Sequence, residues 1–161
     1  MPVNSKTVAG RRVLSFATLD DVVTDAEKMV SSSDARTLGN WPLSKLLTHL
    51  TFSIDSSIDG YKVKAPFIVR LMGPLIKRSV MKAPKMQPGI HLPKASLPIV
   101  FPDAVNPTEA LNGLRKAVAR TKKEKMTADH PAFGRMTHEE WTFVHLRHCE
   151  LHLSFITAGT N

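Results

Sequence analysis

Residues 141–155, WTFVHLRHCELHLSF, decide the fold class. On a helical wheel their apolar side chains fall nearly all round: Trp141, Phe143, Val144, Leu146, Leu151, Leu153 and Phe155. A helix with no face to give to water belongs at the centre of an assembly of other helices. Thr137 precedes it and Glu140 stands three residues later, the spacing of a reciprocal cap at a helix start. The same stretch carries His145, His148 and His152. A helix advances about 100° per residue, so His148 and His152 project in nearly one direction, with His145 close to their face. Two imidazoles four residues apart can grip one metal ion.

Working outward, three further long helices can be read. Leu19, Val22, Val23, Ala26, Met29 and Val30 recur with a helical period after Thr18, whose third follower, Asp21, completes a second capping box. Asn40-Trp41-Pro42 is read as the next start, with Asn40 as the cap and Pro42 in the first turn. Leu43, Leu46, Leu47, Leu50, Ile54 and Ile58 form its stripe, His49 lies at the margin, and Gly60 is the stop. Asn106-Pro107 opens a helix with Leu111, Leu114 and Val118 inward and Lys116, Arg120 and Lys123 on a solvated basic face. Residues 66–82 read as a shorter helix kinked or split at Gly73-Pro74. Six prolines in 82–107 forbid regular structure over most of that stretch. Its apolar residues Ile90, Leu92, Leu97, Ile99, Val100 and Phe101 suit a cover packed over the helices and bordering the histidines. Four long helices and no convincing strand predict an all-α fold, a four-helix bundle with one long proline-rich loop between the second and third long helices.

The chain has 161 residues, of which 42% are hydrophobic, enough for one domain spanning 1–161. Cys149 is its single cysteine, so no internal disulfide forms, in keeping with a reducing, cytoplasmic setting. No apolar run follows the basic pair Arg11-Arg12 in the manner of a secretory signal. The apolar patch 66–76 is interrupted by Arg70 and is far short of the roughly 20 residues that span a bilayer. No membrane partner is expected. The net charge is +8, with Lys and Arg outnumbering Asp and Glu by 22 to 14. That balance could attract nucleic acid, anionic lipid or small anionic substrates, and its plainest reading is a soluble protein with a basic surface.

Two familiar metal patterns are excluded. In HCELH (148–152) the acid, Glu150, falls two residues after the first histidine, on the far side of the helix from it, so this is not the H-E-x-x-H protease motif. The residues three before His145, His148 and His152 are Thr142, His145 and Cys149, none acidic, which disfavours a di-iron site. A pair of ligands needs a third. His49 is the best candidate because it sits mid-helix on a neighbouring element. His91, His130 and His138 fall in loops or at a helix start, and Cys149 flanks the face as a soft ligand or, more simply, a small buried hydrophobe.

Four segments carry a family resemblance: LGNWPLSKLLTHL (38–50), LMGPLIKRSV (71–80), HLPKA (91–95) and HPAFGRMTHEEWTFVHLRHCELHLSF (130–155). Together they resemble the DinB/YfiT-like metalloenzyme superfamily, and within it a domain-of-unknown-function branch with an HP-x-FG-x-[LM]-T-x-EEW…H-x-x-H-x-x-x-H-L signature. The resemblance implies a four-helix bundle holding a metal through three histidines, one on the second helix and two on the last. By motif position these are His49, His148 and His152, with His145 a neighbour that supports the ligands or contacts substrate.

Three neutral imidazoles leave at least one coordination position open on a divalent ion. Zinc is the default, and Ni or Fe(II) also accept imidazole. Such a site acidifies a bound water or binds a substrate thiol or carbonyl. The superfamily includes users of low-molecular-weight thiols, so the resemblance implies thiol S-transfer or isomerisation, with an anionic thiol as a fitting small-molecule substrate. Hydrolysis is the second enzymatic reading, and a non-catalytic basic bundle binding nucleic acid or a protein is the alternative from another class. The apolar surface around Phe67, Ile68, Leu71 and Leu75 exceeds what one small bundle needs, which predicts a homodimer.

Overall fold

The computed structural model describes residues 3–88, 100, 103 and 105–159. The protein is all-α. Its described helices are α1 (Leu19–Ser31), α2 (Leu43–Asp59), α3 (Phe67–Leu71), α4 (Gly73–Lys82), α5 (Pro107–Thr121) and α6 (His138–Leu153). Two short strands, β1 (Arg36–Thr37) and β2 (Ile156–Thr157), pair antiparallel, with Arg36 opposite Thr157 and Thr37 opposite Ile156. This ribbon was not read from the sequence, because two residues are too few to show a period. It joins the exit of α6 to the entry of α2 and so fixes the ends of the two helices that bear the histidines.

Local chemistry accounts for the helix starts. Thr18 and Thr137 each form the full reciprocal cap, with Asp21 and Glu140 respectively. The Asn106 side chain accepts the Glu109 N–H at 2.8 Å, and Pro107 follows as first residue. The start of α2 differs from the sequence reading. Pro42 is its N-cap and makes no side-chain cap bond. Asn40 instead clasps the N-terminal segment, accepting the Val3 N–H at 2.6 Å and donating to the Val3 carbonyl at 2.8 Å. A tertiary partner has taken the polar side chain away from its local role. Gly60 ends α2 with φ of +94°, a conformation L side chains resist.

The 66–82 segment divides at Met72, between α3 and α4. Gly73 is required there, since a Cβ would collide with the Ala132 carbonyl oxygen.

The core forms where α2 lies along α5 and α6, and α1 lies along the same two helices. Val22, Ala26, Leu47, Leu50, Ile54, Leu114, Cys149 and Leu153 meet in one buried cluster. A second cluster of Met126, Met136, Trp141 and Val144 lies below α4, with Tyr61 and Met81 against it. Arg120, assigned by sequence to a solvated face, ties α5 to α2 through Asp55 and Asp59 at 2.7 Å each, and also holds Glu124. Arg12 reaches Asp25 on α1 and the carbonyls of Leu153 and Ile156, pinning the C-terminal end of α6. Among the described residues no helix is long and apolar enough to cross a membrane.

Candidate metal centre

The packing of α2 against α6 brings His49 to His148 and His152. His49 is 4% exposed, while His148 and His152 keep a partial opening. The Nε2 of His148 lies 3.1 Å from the Nε2 of His49 and 3.0 Å from the Nε2 of His152. One potential ligand atom from each ring falls within 4.8 Å of the other two. Four-coordinate zinc at about 2.1 Å from each nitrogen would set those nitrogens about 3.4 Å apart, so the trio needs only small side-chain shifts to surround an ion.

The proton inventory points the same way. His49 Nδ1 is 2.8 Å from the Val100 carbonyl, which can only accept, so Nδ1 carries the proton. Burial lowers the His49 pKa to about 4, so the ring is neutral at pH 7 and its Nε2 presents a lone pair to His148. Burial, reinforced by the other histidines, also holds His148 well below the usual imidazole range. His152 is lowered well below it by burial, with His49 and Arg11 adding to the effect. Both contacts fall on His148 Nε2: protonated, it can donate to one neighbour only, and unprotonated, it sets its lone pair against that of His49, so in either state one close contact is an unfavourable one. A cation between the rings would replace that repulsion with coordinate bonds. The Val100 carbonyl stands where a partner that would orient a metal-bound imidazole is found.

Trp41 walls the site. Its ring stacks on His152 at 5.9 Å and 13°, and meets His49 edge-on at 6.1 Å. Arg11 donates to Ser154 Oγ at 2.7 and 3.0 Å and lies over the Phe155 ring at 4.1 Å, adding positive charge beside His152.

The other sequence candidates lie elsewhere. His145 is fully buried, stacks on Trp141 at 5.2 Å and stands outside the trio; its Nε2 has no hydrogen-bond partner among the described residues. Burial takes its pKa to about 3. His130 Nδ1 accepts the N–H groups of Ala132 and Phe133 at 3.1 Å each and serves the 130–134 turn. His138 Nδ1 accepts from Met126 N–H at 3.2 Å. Cys149 is buried in the core with its thiol pKa pushed up by burial, the small-hydrophobe role. Glu150 is engaged by Arg147 and the Phe16 N–H, away from the trio. His91, and the cover residues Ile90, Leu92, Leu97, Ile99 and Phe101, lie outside the described residues.

Sequence reasoning missed Trp41 as a wall, Arg11 as a neighbouring charge and the Val100 carbonyl as a partner. The adjacency of Trp41 to the proline that opens the His49 helix was the one available signal. A backbone carbonyl leaves none.

Over residues 8–159 the chain matches the model of a family described as Protein of unknown function (DUF1569). It belongs to that family. No curated protein and no solved structure matches it. The family description assigns no chemistry; in this DUF1569 chain the histidine cluster supplies it.

Proposed function

We propose that the protein is a DinB/YfiT-like four-helix bundle in which His49, His148 and His152 hold one divalent metal ion, zinc by default, in a small-molecule thiol transferase or isomerase. The observation that carries this reading is the convergence of three neutral imidazoles, one of them fixed by Val100 with its lone pair facing inward. Bound there, a divalent ion supplies a Lewis acid that favours the anionic form of a thiol or water in its open position.

The chain's own residues supply the rest. Val100 holds the His49 tautomer, and Trp41 shields the His152 side from water. Arg11 adds a positive field. Among the described residues the three histidines are joined by no carboxylate, so a divalent ion held there would keep its full double charge. A site of that charge prefers an anionic ligand, which supports a thiolate substrate over a neutral one.

The test begins with metal analysis of untagged protein, followed by a screen of low-molecular-weight thiols against electrophiles. One equivalent of metal, lost in His148→Ala, and metal-dependent consumption of thiol are expected. Metal-dependent ester or amide cleavage without a thiol would move the reading to hydrolysis. A protein with no metal and no affinity for zinc would refute the metalloenzyme and favour a non-catalytic basic bundle.

A further inference from the structure

The positive charge of this protein is concentrated in one segment. Residues 60–102 contain eight Lys and Arg and no Asp or Glu. They account for the whole net charge of +8, and the rest of the chain carries 14 residues of each sign. The same segment holds five of the eight large hydrophobic side chains that the described structure leaves exposed: Phe67, Ile68, Leu71, Met72 and Leu75.

The two helices that carry these features, α3 and α4, adjoin directly at Met72. The inner side of α4 is occupied, with Gly73 against Ala132, Lys77 bonded to Glu140 at 2.6 Å and Met81 packed on the second core cluster. The outer side shows Leu75, Arg78 and Lys82, one helical turn apart. The preceding helix, α3, has no buried residue and presents Phe67 at 76% exposure and Leu71 at 66%. Lys62, Lys64, Arg70, Arg78, Lys82 and Lys85, on α3 and α4 or flanking them in sequence, are exposed, and none forms an ion pair among the described residues.

We infer that α3 and α4 form a docking surface for an anionic lipid bilayer, the apolar side chains entering the headgroup boundary and the cations meeting lipid phosphate and carboxylate. An exposed apolar strip rimmed by Lys and Arg is the composition of helices that lie in a membrane interface. Charge decides between this occupant and a second copy of the chain. A two-fold contact would bring the exposed cations of one protomer against those of the other, with no acid in either segment to offset them. A bilayer provides the counter-charge. The surface replaces the homodimer as the cover for Phe67, Ile68, Leu71 and Leu75, and departs from the expectation of no membrane partner without requiring a span. It does not depend on the metal reading.

The test is flotation of the full chain with phosphatidylcholine vesicles, with and without about one third phosphatidylserine. Binding is expected only with phosphatidylserine, and is expected to weaken as salt is raised. Arg70→Gln, Arg78→Gln and Lys82→Gln together should lower it on the order of a hundredfold. Phe67→Ser with Leu71→Ser should also lower it, because the apolar insertion is lost. These residues are exposed, so the variants should keep the parent's far-ultraviolet circular dichroism, which is the check that they fold. His148→Ala should bind vesicles as the parent does, which separates this proposal from the metal site.

Failure to bind anionic vesicles, or equal binding to neutral ones, overturns the proposal. So does a dimer in light scattering that Leu75→Glu dissolves, since the second copy would then be the occupant. Salt-sensitive binding to nucleic acid that is indifferent to Phe67→Ser, in a protein that ignores vesicles, also overturns it.

Discussion

Acid should unfold the metal-free protein near pH 5, and the histidines set the magnitude. Burial lowers His49 and His130 from 6.5 to about 4 and His145 to about 3, and holds His148 and His152 well below 6.5. All five are neutral in both folded and unfolded chains above pH 7, so they cost nothing there. Below pH 6.5 the unfolded chain takes up protons that the folded chain refuses, and stability falls with pH. For His49 alone the loss is complete near pH 4 and amounts to about 3 kcal/mol. While all five are still refusing protons, the combined slope approaches about 7 kcal/mol per pH unit, against a total stability on the order of 5–15 kcal/mol. Urea unfolding in chelator, at matched ionic strength between pH 7.5 and 5, measures this slope. His145→Leu removes one group and should flatten it by about 1.4 kcal/mol per pH unit. A free energy constant to within about 1 kcal/mol over that range would show that the buried imidazoles titrate normally, and would refute the neutral trio on which the metal reading stands.

Other outcomes follow from single contacts. His152→Ala should abolish tight zinc binding by calorimetry, while His145→Ala should weaken it by no more than about 10–100-fold, since it lies outside the trio; equal losses would mean the helix face is assigned wrongly. Gly73→Ala should lower stability by about 1–3 kcal/mol in thermal unfolding, because its Cβ meets the backbone oxygen of Ala132. An unchanged melting temperature would place α4 farther from the 130–134 turn. Thr137→Ala should cost about 1 kcal/mol through loss of the α6 cap, read by denaturant midpoint.

Much of the architecture is local and was legible. The Thr18 and Thr137 caps, the Asn106-Pro107 start, the Gly60 stop and the break between α3 and α4 all depend on neighbours within four residues, where side-chain chemistry acts on the adjacent backbone. The His148–His152 pair was legible for the same reason, since one helix fixes its spacing. Asn40 shows where local reasoning ends: its side chain can cap a helix or bind Val3, and only the path of the N-terminal segment selects the second. Arg120 shows it again, because a basic stripe on α5 becomes a three-way tie once α2 sets Asp55 and Asp59 beside it.

The sequence by itself determined that the chain would be helical, that α6 would be central and that its last turns would offer two imidazoles to one side. Periodicity and capping encode these through contacts the chain makes with itself at short range. Tertiary structure decided that His49, the favoured third candidate, meets the pair, and it decided the tautomer of His49 and the neutrality of all three rings. Each needs atoms distant in sequence: the packing of α2 on α6 for the first, the Val100 carbonyl 51 residues away for the second, and exclusion of water by the assembled core for the third.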